Sequence, residues 1–426
     1  MVELVNTGAI GRRPIIAAIG SSSVERSYGK STGNDTSQAS WNEVGWVTWA
    51  NRLSPQVEFR HSHIFGYGGE GGQTFLANIG LITGASPRAA ACLVGISSND
   101  AGFSSELSFA DWLTATTGYY QGIIDALKAA GILPILVIQH LRRDYTVGSA
   151  TWARQAALFS WARRVGRIQG GVEVVDLSSA LSDKASVNNV TPASLVNADN
   201  IHMSLEGAFR AGVLIASVLV RLFPTLSYAP IGSPGDIWSA ENPYGSLAAN
   251  PGMLGTGGSG GSNIADNWTL GSIPSGMTVT PSKITDADTG WVRQRLVISG
   301  TDASGGFILL TGSFISGALA SLAAGERLEA FCDYKVSGAM TGFRQAGIRF
   351  TPTDSGYGGA KNFRDCSVNN AATELCAVAH SVRSRTPAYT VINAPSAGAF
   401  VFSIDLVSGQ ANDYTVDIGP IGVVKV

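Results

Sequence analysis

Apolar residues in the first half of the chain fall into two alternating patterns. Short, mostly apolar runs occur at 14–20, 89–96, 132–139 and 172–176, with a more mixed one at 57–65; Ile15-Ile16-Ala17-Ala18-Ile19 is the most uniform. Runs of this length without a polar phase fit strands buried on both faces of a parallel sheet. Between them lie longer stretches with helical character, at 41–53, 109–130, 151–168 and 204–223. The second stops just before Gly131 and the fourth opens at Ser204, a stop and a start signal respectively. This β-α alternation predicts a three-layer α/β/α domain with a five-stranded parallel sheet and right-handed crossovers.

The pattern changes after Pro224. Residues 225–262 carry Pro230, Pro234, Pro243 and Pro251, then Gly-Thr-Gly-Gly-Ser-Gly-Gly at 255–261. Such composition predicts a connection ending in a flexible lead-in. Beyond it, short alternating runs at 291–299, 307–310, 327–336, 342–351, 374–383, 388–392, 400–406 and 414–418 are separated by turn residues. They predict an all-β sandwich of the jelly-roll kind. The expected division is therefore a first domain at 1–224, a connection at 225–262 and a β-sandwich module at 263–426.

Composition narrows the function classes. With 426 residues, 45% of them apolar, the chain is long enough for more than one core. Its 29 basic and 31 acidic residues nearly cancel, which argues against a nucleic-acid partner, since neutralising phosphates needs clustered Lys and Arg. The pairs Arg142-Arg143 and Arg163-Arg164 read as solvated faces or loops. The most apolar helix, 204–223, contains Glu206, Arg210 and Arg221 and is too polar to span a bilayer. The first residues show no basic region followed by an apolar core, so no secretory leader is expected there. A secreted or virion-associated location stays open. The cysteines at 92, 332, 366 and 376 make no metal pattern. Cys92 reads as a buried thiol, and Cys366 with Cys376 as either a bridge or two free thiols.

Four spots carry candidate chemistry, because ligands of an open α/β sheet sit beyond the carboxyl ends of its strands. Gly20-Ser21-Ser22-Ser23 closes the first strand. Gly66-Tyr67-Gly68-Gly69-Glu70-Gly71-Gly72-Gln73-Thr74 follows the second, and its bare backbone N–H groups suit an oxyanion. It lacks the G-K-[ST] ending of a phosphate loop. Ser97-Ser98-Asn99-Asp100 follows the third strand and offers an amide donor or an Asx-turn. Asp199-Asn200-Ile201-His202 precedes the last helix and puts a carboxylate and an imidazole on one turn. Each could be an ordinary turn; together they are the parts of a serine hydrolase, which is recognised by roles rather than order.

Those four spots, in that order, resemble the blocks of the SGNH hydrolases, the G-D-S-L-type esterases and lipases. Gly20-Ser21-Ser22 looks like the first block, Gly69 (or Gly68) the glycine of the second, Asn99 the third, and Asp199 with His202 the fourth. The resemblance covers roughly 14–223 and implies a flavodoxin-like SGNH domain. Ser21 replaces the usual Asp, Tyr67 stands where Asn is common, and Ser97 replaces a Gly. Three consecutive serines leave some ambiguity about the nucleophile, and the register from Gly20 favours Ser22. The resemblance implies Ser22 as nucleophile, His202 as base and Asp199 as its orienting carboxylate. It also implies an oxyanion hole of Ser22, Gly69 and Asn99, with no cofactor and no metal. The expected reaction is acyl-ester hydrolysis.

The chain offers few rival residues. His61 and His63 share a strand face without a third ligand, and His380 has no partner that can be named. His140, after the fourth strand, is the second choice for a site histidine, and Asp176 reads as a turn cap. The appended sandwich resembles carbohydrate-binding modules, so the expected substrate is an acylated, in the first instance acetylated, carbohydrate. Trp268, Trp291, Tyr334 and Tyr357 are candidates for sugar-facing platforms or for core. Two alternatives remain: a general arylesterase or lipase, or a glycan-binding, phage-tail-like structural protein with an inactive SGNH-like domain.

Overall fold

A computed structural model of the chain describes residues 13–27, 38–41, 44–185, 190–224, 230–365 and 378–426. In chain order its first elements are β1 (Ile15–Gly20), α1 (Ser22–Glu25), β2 (Gln38–Ser40), α2 (Trp46–Leu53), β3 (Glu58–Gly66), α3 (Gly72–Asn78), α4 (Gly80–Thr83) and β4 (Ala91–Ile96). There follow α5 (Phe109–Ala129), β5 (Leu133–Ile138), α6 (Ala150–Ile168), β6 (Glu173–Asp176), α7 (Leu177–Ala180) and α8 (Leu205–Leu222). The chain divides into two compact units, one of Met1–Tyr28 with Glu43–Ser227 and one of Gly29–Asn42 with Tyr228–Val426.

In the first unit five parallel strands order as β3-β1-β4-β5-β6. Numbered along that sheet alone, this is 2-1-3-4-5, the doubly wound flavodoxin-like order. β1 and β4 are buried along their whole length, which explains why they carry no polar phase. Ile15, Ala17 and Ile19 join a core with Phe75, Tyr120, Ile123, Leu127, Leu158 and Phe159, so α3, α5 and α6 cover one face. On the other face α2 packs against α8: Trp49 meets Phe209 edge to face at 5.1 Å. The helix starts are capped as the sequence requires. Ser108, Ser149 and Ser204 accept hydrogen bonds from the N–H groups of Asp111, Trp152 and Gly207. α5 ends before Gly131, whose φ of +69° continues the chain into β5 without a Cβ penalty.

The second unit adds β7 (Gly257–Ser259), β8 (Ile264–Gly271), β9 (Met277–Thr285), β10 (Val292–Thr301), β11 (Phe307–Gly312), β12 (Arg327–Ala339) and β13 (Phe343–Asp354). It continues with β14 (Gly359–Ala360), β15 (Asn362–Arg364), β16 (His380–Arg385), β17 (Tyr389–Thr390), β18 (Ala397–Leu406) and β19 (Ala411–Lys425). One sheet runs β16-β12-β19-β10-β9 and the other β2-β15-β13-β18-β11-β8-β7. From β11 to β13 and from β16 to β19 the long strands switch sheets, the wiring of a jelly-roll sandwich. The sheets meet through aromatic pairs, Tyr334 on Phe402 at 5.2 Å and Phe350 on Tyr389 at 5.8 Å.

Three expectations change. The helix α2 starts only at Trp46, and Trp41 is not part of it: the Trp41 N–H donates to the Arg364 carbonyl at 3.0 Å, and β2 runs parallel to β15 in the sandwich. The stretch 230–262 is not a free lead-in, because its apolar residues have cover. Ile231, Leu247, Ala248 and Met253 are buried, and Leu247 is bonded both to Val423 and to Ile315. Strands β8 and β9 have no counterpart among the expected runs, since polar residues interrupt their alternation.

Candidate active site

Ser22 is the first residue of α1, immediately beyond the buried end of β1. Its Oγ lies 2.8 Å from His202 Nε2, and His202 Nδ1 lies 2.6 Å from Asp199 Oδ2. With Asp199 accepting from Nδ1–H, the lone pair of the imidazole is on Nε2, so the Ser22 hydroxyl donates. The other Asp199 oxygen accepts from the backbone N–H groups of Ile201 and His202, each at 2.9 Å. Asn200 takes a φ of +60° to close this turn. Burial pushes the Asp199 carboxyl up, but the hydrogen bonds from His202 and Ile201 outweigh it and hold the group at about 2.

The neighbouring serines are engaged elsewhere. Gln139, buried just past β5, donates to Ser21 Oγ at 3.0 Å and to Ser23 Oγ at 2.6 Å. Of the three hydroxyls, only that of Ser22 meets the imidazole.

Gly69 lies on the exposed turn after β3, with φ +79° and open space where a Cβ would stand. The next residue ties this turn to the third spot. The Glu70 carbonyl accepts from Asn99 Nδ2 at 3.1 Å and from Ser97 Oγ at 3.0 Å. Asp100 completes the tie. Its carboxylate, buried, accepts from Gly72 N–H at 3.0 Å and from Tyr120 Oη at 2.7 Å. A Cβ on Gly71 would stand 2.2 Å from Asp100 Oδ1, so only glycine fits there. Burial raises the Asp100 carboxyl to about 6 against the pull of those two hydrogen bonds.

Residues 139–143 brace this cluster; of them only His140 was singled out from the sequence, as a rival site histidine. His140 Nε2 bonds the Ile201 carbonyl at 2.9 Å, within the Asp199–His202 turn. Burial lowers His140 to about 4, so near neutrality it is an uncharged prop rather than the base. Arg143 bonds the Asn200 carbonyl through its N–H at 2.9 Å and the Thr191 carbonyl through its guanidinium at 2.8 Å. Arg142 donates to Asn99 Oδ1 at 3.0 Å. The Arg142-Arg143 pair, expected in solvent, is therefore spent on the two loops that carry Asn99 and His202.

No family model matches the chain, and no curated protein matches it. Several solved structures are similar to the chain over about half of its length. An acetylxylan esterase from Geobacillus stearothermophilus is 15% identical, over 51% of this chain and 96% of that one, with a TM-score of 0.38. A member of the lipolytic protein G-D-S-L family from Veillonella parvula is 16% identical, over 50% and 99%, at a TM-score of 0.35. A carbohydrate acetylesterase from Sinorhizobium meliloti is 12% identical, over 50% and 100%, at 0.35.

The remaining candidates fall into structural places. Asp176 caps α7 through the Ser179 N–H at 2.8 Å and pairs with Arg163 at 2.6 Å. His63 bonds the Pro87 carbonyl at 2.8 Å. His380 bonds the Val378 carbonyl and packs on Tyr334 at 5.6 Å. Among the described residues no group of three or more His, Cys, Asp or Glu is placed to hold a metal. Trp268 and Tyr334 are core residues, 2% and 0% exposed, and cannot face a sugar. Trp291 packs on Ile231, Phe331 and Val424. Tyr357 is half-buried against Tyr389. Cys92 and Cys332 are buried free thiols, and Cys366 and Cys376 lie outside the described residues. No helix among the described residues is long and apolar enough to cross a membrane.

Proposed function

We propose that the first unit is a serine esterase that cleaves small acyl esters through an acyl-enzyme. The observation that carries this is the unbroken line from Asp199 through His202 to Ser22, at 2.6 and 2.8 Å. Ser22 Oγ attacks the ester carbonyl as its proton passes to His202 Nε2. Asp199, ionised down to about pH 2, holds the imidazole in the tautomer that can accept and stabilises the cation that forms. The oxyanion is taken by the N–H groups of Ser22 and Gly69 and by the Asn99 amide. His202 then returns the proton to the departing alcohol, and water, activated by the same imidazole, releases the acid. No metal or organic cofactor is required by this scheme.

An acetyl group on a carbohydrate is the proposed natural substrate, with the β-sandwich unit as the carbohydrate-directed part. Turnover of p-nitrophenyl acetate, longer acyl esters and acetylated xylan tests both levels. Ser22→Ala and His202→Ala should each lower kcat by roughly 10⁴-fold or more, the scale of a lost triad member. Undiminished hydrolysis by Ser22→Ala would rule the scheme out. Preference for long acyl chains would remove the acetyl assignment and keep the mechanism.

A further inference from the structure

We propose that Arg142 is a positioning residue for the oxyanion donor: with the Glu70 carbonyl it fixes which end of the Asn99 amide faces the reacting carbonyl. The inference rests on the esterase reading of Asn99. An asparagine side chain turns about a broad, nearly two-fold torsion, so its oxygen and nitrogen can exchange places at little cost. With nitrogen forward the amide stabilises an oxyanion; with oxygen forward it repels one. Something must choose.

In this site two one-way groups make the choice from opposite ends: the Glu70 carbonyl, which can only accept, and Arg142, which can only donate. Arg142 Nη1 lies 3.0 Å from Asn99 Oδ1, and a guanidinium has no acceptor. The amide oxygen is therefore fixed toward Arg142. One Nδ2 hydrogen goes to the Glu70 carbonyl at 3.1 Å, which leaves the second for the oxyanion. A cation on the amide oxygen also draws electron density from the nitrogen and makes that remaining N–H a stronger donor.

Arg142 is itself immobilised. Its Nε donates to Asp144 Oδ1 at 2.8 Å and its Nη2 to Asp144 Oδ2, a two-pronged pair. Its guanidinium stacks over the Tyr145 ring at 4.3 Å. The Tyr145 hydroxyl donates in turn to the carbonyl of Ser98, the residue before Asn99, at 3.0 Å. The clamp thus starts and finishes on one turn, and the Arg142 side chain is only 11% exposed. A lysine, with one compact charge, cannot hold Asp144 at two points and Asn99 at a third.

The test is a cycle of Arg142→Ala, Asn99→Ala and the double variant on p-nitrophenyl acetate, with Arg142→Lys and Asp144→Asn beside it. Asn99→Ala should lower kcat about 10²–10³-fold. Arg142→Ala should lower kcat at least about 10-fold with KM within about 2-fold, and the double variant should be no slower than Asn99→Ala. Arg142→Lys should restore little, and Asp144→Asn should show a smaller kcat loss of the same kind. The side-chain amide signal of Asn99, assigned by its absence in Asn99→Ala, should shift in Arg142→Ala and Asp144→Asn, a readout independent of turnover. Multiplying losses, a raised KM at unchanged kcat, or an unmoved amide signal would overturn the role of Arg142 alone. Full-speed Asn99→Ala beside inactive Ser22→Ala would instead remove the oxyanion reading of Asn99, and the role of Arg142 with it.

Discussion

Gln139 distinguishes the three adjacent serines at the level of single atoms. Its amide nitrogen is shared between Ser21 and Ser23, whereas the Ser22 hydroxyl bonds the imidazole. Ser21→Ala and Ser23→Ala should accordingly cost no more than about 10-fold in kcat, against the near-total loss at Ser22. His140 offers a second residue-scale prediction, in stability rather than rate. Its folded pKa, about 4, lies below the ordinary 6.5 because it is buried, so unfolding between those values takes up a proton. Its contribution is complete above about pH 6.5 and is lost as pH falls through about 4, on the order of 3 kcal/mol in all. Asp100 has the opposite sign. Raised to about 6, its contribution is present below its ordinary 3.8 and is lost as pH rises through about 6. In His140→Gln the urea-unfolding free energy should fall less steeply between pH 6.5 and 4 than in the parent. Equal slopes would show that His140 is not the group responsible.

At the scale of elements, contact decides what a glycine is worth. Gly118 and Gly212 both sit inside long helices, and nothing in their sequence surroundings separates them. A Cβ on Gly118 would meet open space, whereas one on Gly212 would stand 2.3 Å from Trp49 Cβ, where α8 crosses α2. Gly118→Ala should raise stability by about 0.5–1 kcal/mol through helix propensity. Gly212→Ala should lower it by about 1–3 kcal/mol by forcing those helices apart. Thermal unfolding of the two variants checks both signs. The buried strands of the first unit were legible because burial on two faces writes an unbroken apolar run, as in β1 and β4. β9 was not, since Lys283, Thr278 and Thr280 on a partly exposed strand give no such run. β2 was illegible for a different reason: its partner, β15, is more than 300 residues away in the chain.

For the whole molecule, the division of labour follows the two units. Ser22, Gly69, Asn99, Arg142, Asp199 and His202 all fall in the first. A chain ending at residue 227, with the sandwich-paired segment 29–42 replaced by a short polar linker, should therefore keep small-ester kcat within about 3-fold while losing action on acetylated polymer. A cut at 249, where the glycine-rich stretch suggests one, would leave Ile231 and Leu247 without the sandwich residues that cover them, and should aggregate. Light scattering and polymer assays on the two truncations separate these outcomes. Unimpaired polymer hydrolysis by the shorter chain would remove the sandwich from substrate recognition.

Local physics is what the sequence by itself determined: strands whose two faces are both covered, helices bounded by serine caps and glycine stops, three polar turns at the ends of strands and a fourth before the last helix. Each of these depends on residues within a few positions of one another, so the chain records them directly. The tertiary structure alone decided which of those turns meet. Ser22 and His202 stand 2.8 Å apart across 180 positions of sequence, and the props that fix them, Gln139 to Arg143, reach their targets only when the sheet is wound. A hydrogen bond constrains two places in space, and sequence patterning registers only the periodicity of burial. For that reason the candidate triad was legible as residue types, and its support was not.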